Sequence, residues 1–209
     1  MKTTFRIGIF ILALFVTALS TIACEGTTSS GVKKITLADD STVLNMSTEL
    51  PASFERLDAD SEGMSNNDLG LGSDFTEVTL FLSEDPYQMV FAYYCIIESR
   101  TEQAGSDAVM QDEEQIKSIV ISGLQAGAAE GGGEFDEVTV DVIYPSVGEL
   151  AVLGSGTMST YGMNIGYDIL MFKVNKVYVF ICSVYLPGEK TSLVPLGTGI
   201  EQRIGTFSQ

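Results

Sequence analysis

Residues 137–186, EVTVDVIYPSVGELAVLGSGTMSTYGMNIGYDILMFKVNKVYVFICSVYL, decide the fold. Glu137 to Tyr144 alternates polar and apolar residues, the period of a half-buried strand. Three further β-prone runs follow at a spacing of about a dozen residues: Glu149 to Thr160, Asn164 to Lys173 and Lys176 to Leu186. Pro145, Gly148 and Gly162 punctuate them, and Asn175 marks a tight turn between Lys173 and Lys176. No gap between the runs has room for a crossover helix. Consecutive strands must therefore pair antiparallel, as a four-strand meander.

Downstream, past Gly188, Leu193, Leu196, Ile200 and Ile204 recur at helical spacing within Thr191 to Phe207. This predicts a terminal helix on one sheet face, weakened by Gly197 and Gly199. Upstream, Asp107 to Glu130 places Ile116, Ile119, Val120 and Leu124 on one side of a long helix. Asp112, Glu113 and Glu114 lie toward its amino end, where negative charge suits the dipole, and Gly131–Gly133 end it. Between residues 86 and 104 the chain is apolar through Ile97, and periodicity does not separate a buried helix from a buried strand. Asp85-Pro86 as cap and first helical residue, together with the length, favours helix; the aromatic and β-branched content favours strand. The expectation adopted is helix.

Nearer the amino end, Glu77 to Ser83 alternates as a strand. Residues 33–50 suggest a short hairpin turning at Asp39-Asp40, and Pro51 opens an extended segment with Phe54 and Leu57 as core contacts. Strands, helix, meander and helix in that order predict an α+β domain over residues 33–209. Its mostly antiparallel sheet is covered by one long central helix, or a helix pair, and by a C-terminal helix.

The first two dozen residues carry a different message. Lys2 and Arg6 precede a 13-residue apolar stretch from Ile7 to Leu19, the size of an export-signal core. Small residues and a cysteine follow, Thr21-Ile22-Ala23-Cys24. This tetrapeptide resembles the lipobox of bacterial lipoproteins, with Ala23 and Cys24 matching and Thr21 standing where that family prefers Leu. The resemblance implies cleavage of residues 1–23, diacylation of Cys24 and a cell-membrane location facing the extracytoplasmic side. Two alternatives stand beside it: an ordinary secretory signal cut near Ala23, and an uncleaved anchor over Ile7 to Ala23, at the short edge of what spans a bilayer. Residues 25–32, EGTTSSGV, read as a flexible tether that makes 24–32 the link from anchor to domain.

Charge and composition exclude several activities. The 209 residues hold 11 basic and 28 acidic side chains, a formal net charge of −17, with no His. A Ser-His-Asp triad, a Cys-His pair and a His-ligated zinc are impossible. So acidic a chain repels a phosphate backbone, so no nucleic-acid partner is expected. There is no phosphate-binding loop, dinucleotide fingerprint or nucleophile elbow. If Cys24 carries lipid, Cys95 and Cys182 remain as an even pair, either a disulfide or two buried thiols in the apolar runs FAYYCIIE and VFICSVY.

Two acidic constellations are weighed. Asp58-x-Asp60-x-Glu62-Gly63, with Asn66 at the ninth position, echoes the start of a calcium loop, although Leu69 stands where a bidentate Glu belongs. The same residues fit a solvated acidic loop across 58–74. Asp112, Glu113 and Glu114 offer paired carboxylates of the kind that hydrolyse glycosidic bonds, or simply a solvated helix start.

The mature region also looks somewhat like the PsbP-like α/β sandwich domains. The resemblance rests on LPASFERLD after a short hairpin and on the tail KVYVFICSVYLPGEKTSLVPLGTGIEQRIGTF, and it implies binding or assembly rather than chemistry. The functional expectations are, in order, a lipid-anchored, non-catalytic binding or assembly protein for a protein or small-molecule partner without a cofactor, a calcium-responsive module, and a carboxylate-dependent hydrolase.

Overall fold

The computed structural model describes residues 35, 42–57, 77–130, 137–160, 163–188 and 190–206. The strands are β1 (Glu55–Leu57), β2 (Glu77–Glu84), β3 (Tyr87–Ile96), β4 (Glu137–Val138), β5 (Asp141–Ile143), β6 (Leu150–Thr160), β7 (Met163–Val174) and β8 (Val177–Tyr185). The helices are α1 (Arg100–Gln111), α2 (Glu113–Glu130) and α3 (Leu193–Gly205). One antiparallel sheet runs β1-β2-β3-β8-β7-β6-β4, and β5 also pairs with β6. The meander is present: β6 pairs β7, β7 pairs β8, and the Glu137–Tyr144 run forms the next strand out. That outer run is split at residues 139 and 140, where the Thr139 amide still bonds the Thr157 carbonyl but the Thr157 amide goes to Thr139 Oγ1, leaving β4 and β5 as two short pieces in one register.

The sheet divides the core in two. One face carries Met89, Phe91, Tyr93, Tyr167, Ile169, Met171, Phe180 and Val184, covered by Met110 of α1 and by Ile116, Val120 and Leu124 of α2. The other carries Phe81, Val90, Leu170, Phe172, Val179 and Ile181, covered by Leu193, Leu196, Ile200 and Ile204 of α3 and by Val43, Leu44, Met46 and Leu50. Each large apolar side chain moved from water into such a core contributes about 1.5–3 kcal/mol. Tyr93 also stacks on Phe180 with ring centroids 4.7 Å apart.

This double burial corrects the expectation for 86–104. The segment is strand β3 up to Ile96, between β2 and β8 in the middle of the sheet. A strand covered on both faces needs apolar residues at every position, so it loses the alternation that would have marked it. Asp85-Pro86 does not cap a helix; it is the two-residue turn between the paired residues Glu84 and Tyr87, and its peptide bond is cis. The helix begins later, at α1, where Ser99 is the N-cap and its hydroxyl accepts from the Glu102 amide.

The long helix expected from Asp107 is likewise a pair. Asp112 has extended dihedrals, and its carboxylate accepts from the Gln115 amide at 3.0 Å, so it closes α1 and caps α2. Of the expected hairpin, the Asp39-Asp40 turn lies outside the described residues, and residues 43–50 form turns after a bridge at Thr42. Thr42 Oγ1 accepts from the Leu44 amide and Asn45 Oδ1 from the Ser47 amide, local bonds that compete with a ladder. Phe54 and Leu57 pack as expected, one against each core.

Two glycines test this packing in opposite directions. Gly105 lies inside α1, and a Cβ there meets nothing within 4 Å. Gly105→Ala should therefore stabilise the domain by about 0.5–1 kcal/mol. At Gly197 of α3 the same atom would stand 2.7 Å from Leu170 Cδ2 and 3.2 Å from Val147 Cγ1, both fully buried. Gly197→Ala should destabilise by about 1–2 kcal/mol despite its better helix propensity. Urea unfolding midpoints measure both.

Candidate functional site

At the end of the sheet beside the β2–β3 turn, the face under α3 turns polar. Ser83 on β2 lies opposite Gln88 on β3; Ser183 on β8 lies opposite Asp168 on β7; Asp168 lies opposite Ser155 on β6, and Ser155 opposite Asp141 on β5. Residues directly opposite across antiparallel strands share a face, so these six form one row. Gln88 joins its two halves by donating to Ser183 Oγ at 2.8 Å. The row is buried at Ser83, Gln88, Asp168 and Ser183 and opens to solvent at Asp141. Among the described residues the Ser83 hydroxyl has no hydrogen-bond partner.

Two residues of the segment leading into α3 lock onto the row. The Lys190 ammonium stands 2.8 Å from each Asp168 oxygen and 3.0 Å from the Tyr185 hydroxyl, over whose ring it also sits at 5.0 Å. Thr191 donates its amide to Gln88 Oε1 at 3.0 Å. Gly166 makes room for the arrangement, since a Cβ there would strike the Tyr185 ring. Burial alone would lower the Lys190 pKa, but the bonds to Asp168 and Tyr185 outweigh it, and the net displacement is upward. Asp168 is a buried counter-ion with both oxygens engaged.

A second cluster lies on the opposite face. Lys173 Nζ pairs with Asp107 Oδ2 at 2.6 Å, and the Tyr178 hydroxyl donates to Asp107 Oδ1 at 2.7 Å. These bonds tie α1 to β7 and β8. Burial first, then the bond to Asp107, raises the Tyr178 phenol far above its ordinary value, and burial chiefly does the same at Tyr167. A third pair, Arg203 with Glu49 at 2.7 Å, fastens α3 to the turns of residues 42–50, and Arg203 Nε also donates to the Val43 carbonyl.

Of the residues singled out in the sequence, those among the described residues are not brought together. Cys24 and the loop residues Asp58, Asp60, Glu62 and Asn66 lie outside the described residues. Among the described residues there is no group of three or more Cys, Asp or Glu side chains that could hold a metal. Cys95 and Cys182 are not bridged. Cys95 lies opposite Tyr178 and Cys182 opposite Phe91, so the two are offset by four positions, or roughly 13 Å along the strands, too far for a disulfide. Burial raises the Cys182 thiol pKa well above its ordinary value, which keeps it inert. Asp112 is a helix cap, and Glu113 and Glu114 flank Lys117 on an exposed surface, so the paired-carboxylate option takes the form of a solvated helix start. Asp168, Lys190, Gln88 and Ser183 are the residues that sequence reading missed. The available signal was the single Asp inside the apolar run YDILMF.

Removing Lys190 leaves Asp168 without its counter-ion in a buried position. Lys190→Met should cost about 2–3 kcal/mol, the fully buried value reduced for the exposed end of the lysine. Asp168→Asn with Lys190→Met should recover at least half of that loss, as urea unfolding of the single and double variants will show. The raised pKa values of Lys190, Tyr167 and Tyr178 also set a pH window. Each folded value exceeds the unfolded one, so the stability they contribute is complete below the ordinary values of 10.0 for Tyr and 10.5 for Lys and is lost as pH rises through the folded values. The thermal midpoint should hold steady up to about pH 9 and fall steeply above pH 10, in step with phenolate absorbance.

Comparison with protein-family models gives no match to this chain, and comparisons with curated proteins and with solved structures give none either.

Proposed function

We propose that this protein is a lipid-anchored, extracytoplasmic binding protein that works without catalysis. The observation that carries the proposal is the leader: two basic residues, an uncharged and mostly apolar stretch from Ile7 to Leu19, small residues and Cys24. An acyl chain on Cys24 fits the electrostatics. Loss of residues 1–23 removes Lys2 and Arg6 and leaves 11 − 2 = 9 basic against 28 acidic residues, a net charge of 9 − 28 = −19. Anionic headgroups repel such a domain, so the tether must hold it by grease rather than by charge. One acyl chain gives only marginal attachment, whereas two give a stable one.

The binding assignment is supported by how the ionisable groups are used. The buried carboxylate Asp168 is neutralised by Lys190, and Asp107 by Lys173 and Tyr178, in arrangements that fasten one element to another.

Mass spectrometry of the membrane fraction provides the test. The amino-terminal peptide should begin at Cys24 and carry acyl mass, and Cys24→Ser should move the protein from the detergent phase to the aqueous phase on phase separation. An unmodified peptide starting at or near Cys24, or an intact leader, overturns the lipoprotein assignment.

A further inference from the structure

We propose that the outer edge made by β4 and β5 receives an extended, Lys- or Arg-bearing segment of a partner protein, which adds to the sheet as a further strand. The proposal rests on the binding role above and names the surface that performs it. Among the described residues no strand pairs with the outer side of β4 or β5, so their outward amide and carbonyl groups are unclaimed by the sheet. The two most exposed large apolar side chains of the described structure lie here, Ile143 at 57% and Tyr144 at 49%. Ile143 shares the face of its partner Leu153, on the α3 side. Tyr144 reaches the other way, its hydroxyl donating to the Gln111 carbonyl at the α1–α2 junction. An added strand, whose side chains alternate between faces, would meet one apolar contact on each.

Charge selects the occupant. Glu137 and Asp141 stand exposed on the edge itself, and Asp112, Glu113 and Glu114 are exposed at the junction that Tyr144 touches. Lys117 pairs with Glu113 and Glu114, and Lys190 is engaged by Asp168 further along the row, so the carboxylates at this edge outnumber the cations named beside it. A second copy of the chain would bring the same carboxylates against these, at a formal net charge of −17 per molecule, and like charges placed opposite one another destabilise a strand pair. A segment alternating apolar and basic residues finds backbone partners, two apolar contacts and opposite charges together. The β1 edge at the far side of the sheet lacks this combination; its three residues, Glu55, Arg56 and Leu57, mix both charges.

The test uses the full chain in nonionic detergent and a fluorescein-labelled peptide of alternating Lys and Val, read by fluorescence anisotropy. An equal-length peptide of alternating Glu and Val is the control. The Lys peptide should bind and the Glu peptide should not, and raising ionic strength should weaken binding about tenfold. Asp141→Lys with Ile143→Ser should weaken it at least tenfold, equivalent to about 1.4 kcal/mol. Glu137→Lys, a milder change, guards against a misfolded double variant, and circular dichroism checks both. Glu55→Lys on the β1 edge should leave binding within about twofold. No binding of the Lys peptide, equal binding of the Glu peptide, or equal weakening by Glu55→Lys overturns the proposal. So does sedimentation showing a dimer that Asp141→Lys/Ile143→Ser dissolves. None of these outcomes alters the acyl mass on Cys24, so the anchor and the edge stand or fall separately.

Discussion

The structure depends on burying the middle of one sheet from both sides. In β3, β8 and β7 nearly every residue from Gln88 to Cys95, Val177 to Val184 and Ile165 to Val174 is out of contact with water. No single layer can achieve that. The helix pair α1–α2 covers one face, and α3 with the turns at residues 42–50 covers the other. The half-buried and buried charged side chains tie α1, α3 and the turns of residues 42–50 to the sheet or to one another. Lys173 and Tyr178 hold α1 through Asp107; Arg203 and Glu49 join α3 to the turns; Lys190 and Thr191 fix the entry to α3 through Asp168 and Gln88.

Those ties explain why buried polar residues persist where apolar ones would be cheaper. A buried ion pair contributes little net stability, because desolvation offsets the attraction, but losing one partner is costly. Their value is positional. Apolar packing would tolerate α3 sliding along the sheet, whereas the Gln88–Thr191 pair and the Asp168–Lys190 pair fix where the helix starts to within a hydrogen bond. Both lie at the same end of the sheet, so α3 is pinned there, and its far turn is pinned again by Arg203 donating to the Val43 carbonyl.

How far the sequence discloses this follows from the same enclosure. The meander was legible because tight turns at Asn175 and Gly148 leave no other connection, and both residues do adopt positive φ. The C-terminal helix was legible because one of its sides meets water, so Leu193, Leu196, Ile200 and Ile204 keep a period. Segment 86–104 was misread for the opposite reason, since full burial erases period. The break at Asp112 carried a signal of its own: Ser99-x-x-Glu102 and Asp112-x-x-Gln115 are both capping sequences, and the second lies in the polar run Gln111–Gln115 that separates Met110 from Ile116. The polar row was legible at Asp168 alone, the single acidic residue in the run YDILMF. Its members are scattered from Ser83 to Ser183, and only the strand register gathers them.

The acidic surface then acquires a role that net charge alone does not assign. Open edges are an aggregation hazard for any chain held at high local density, and acyl chains on Cys24 would concentrate this protein in two dimensions. Lysines commonly blunt such edges, yet lysines on a membrane-moored domain would pull the edge onto anionic headgroups. On a domain anchored as proposed, Glu137 and Asp141 would meet both problems, repelling headgroups and neighbouring copies alike. What they leave attractive is an approaching strand of opposite charge. Ile143 and Tyr144 stand exposed beside them, one on each face of the edge.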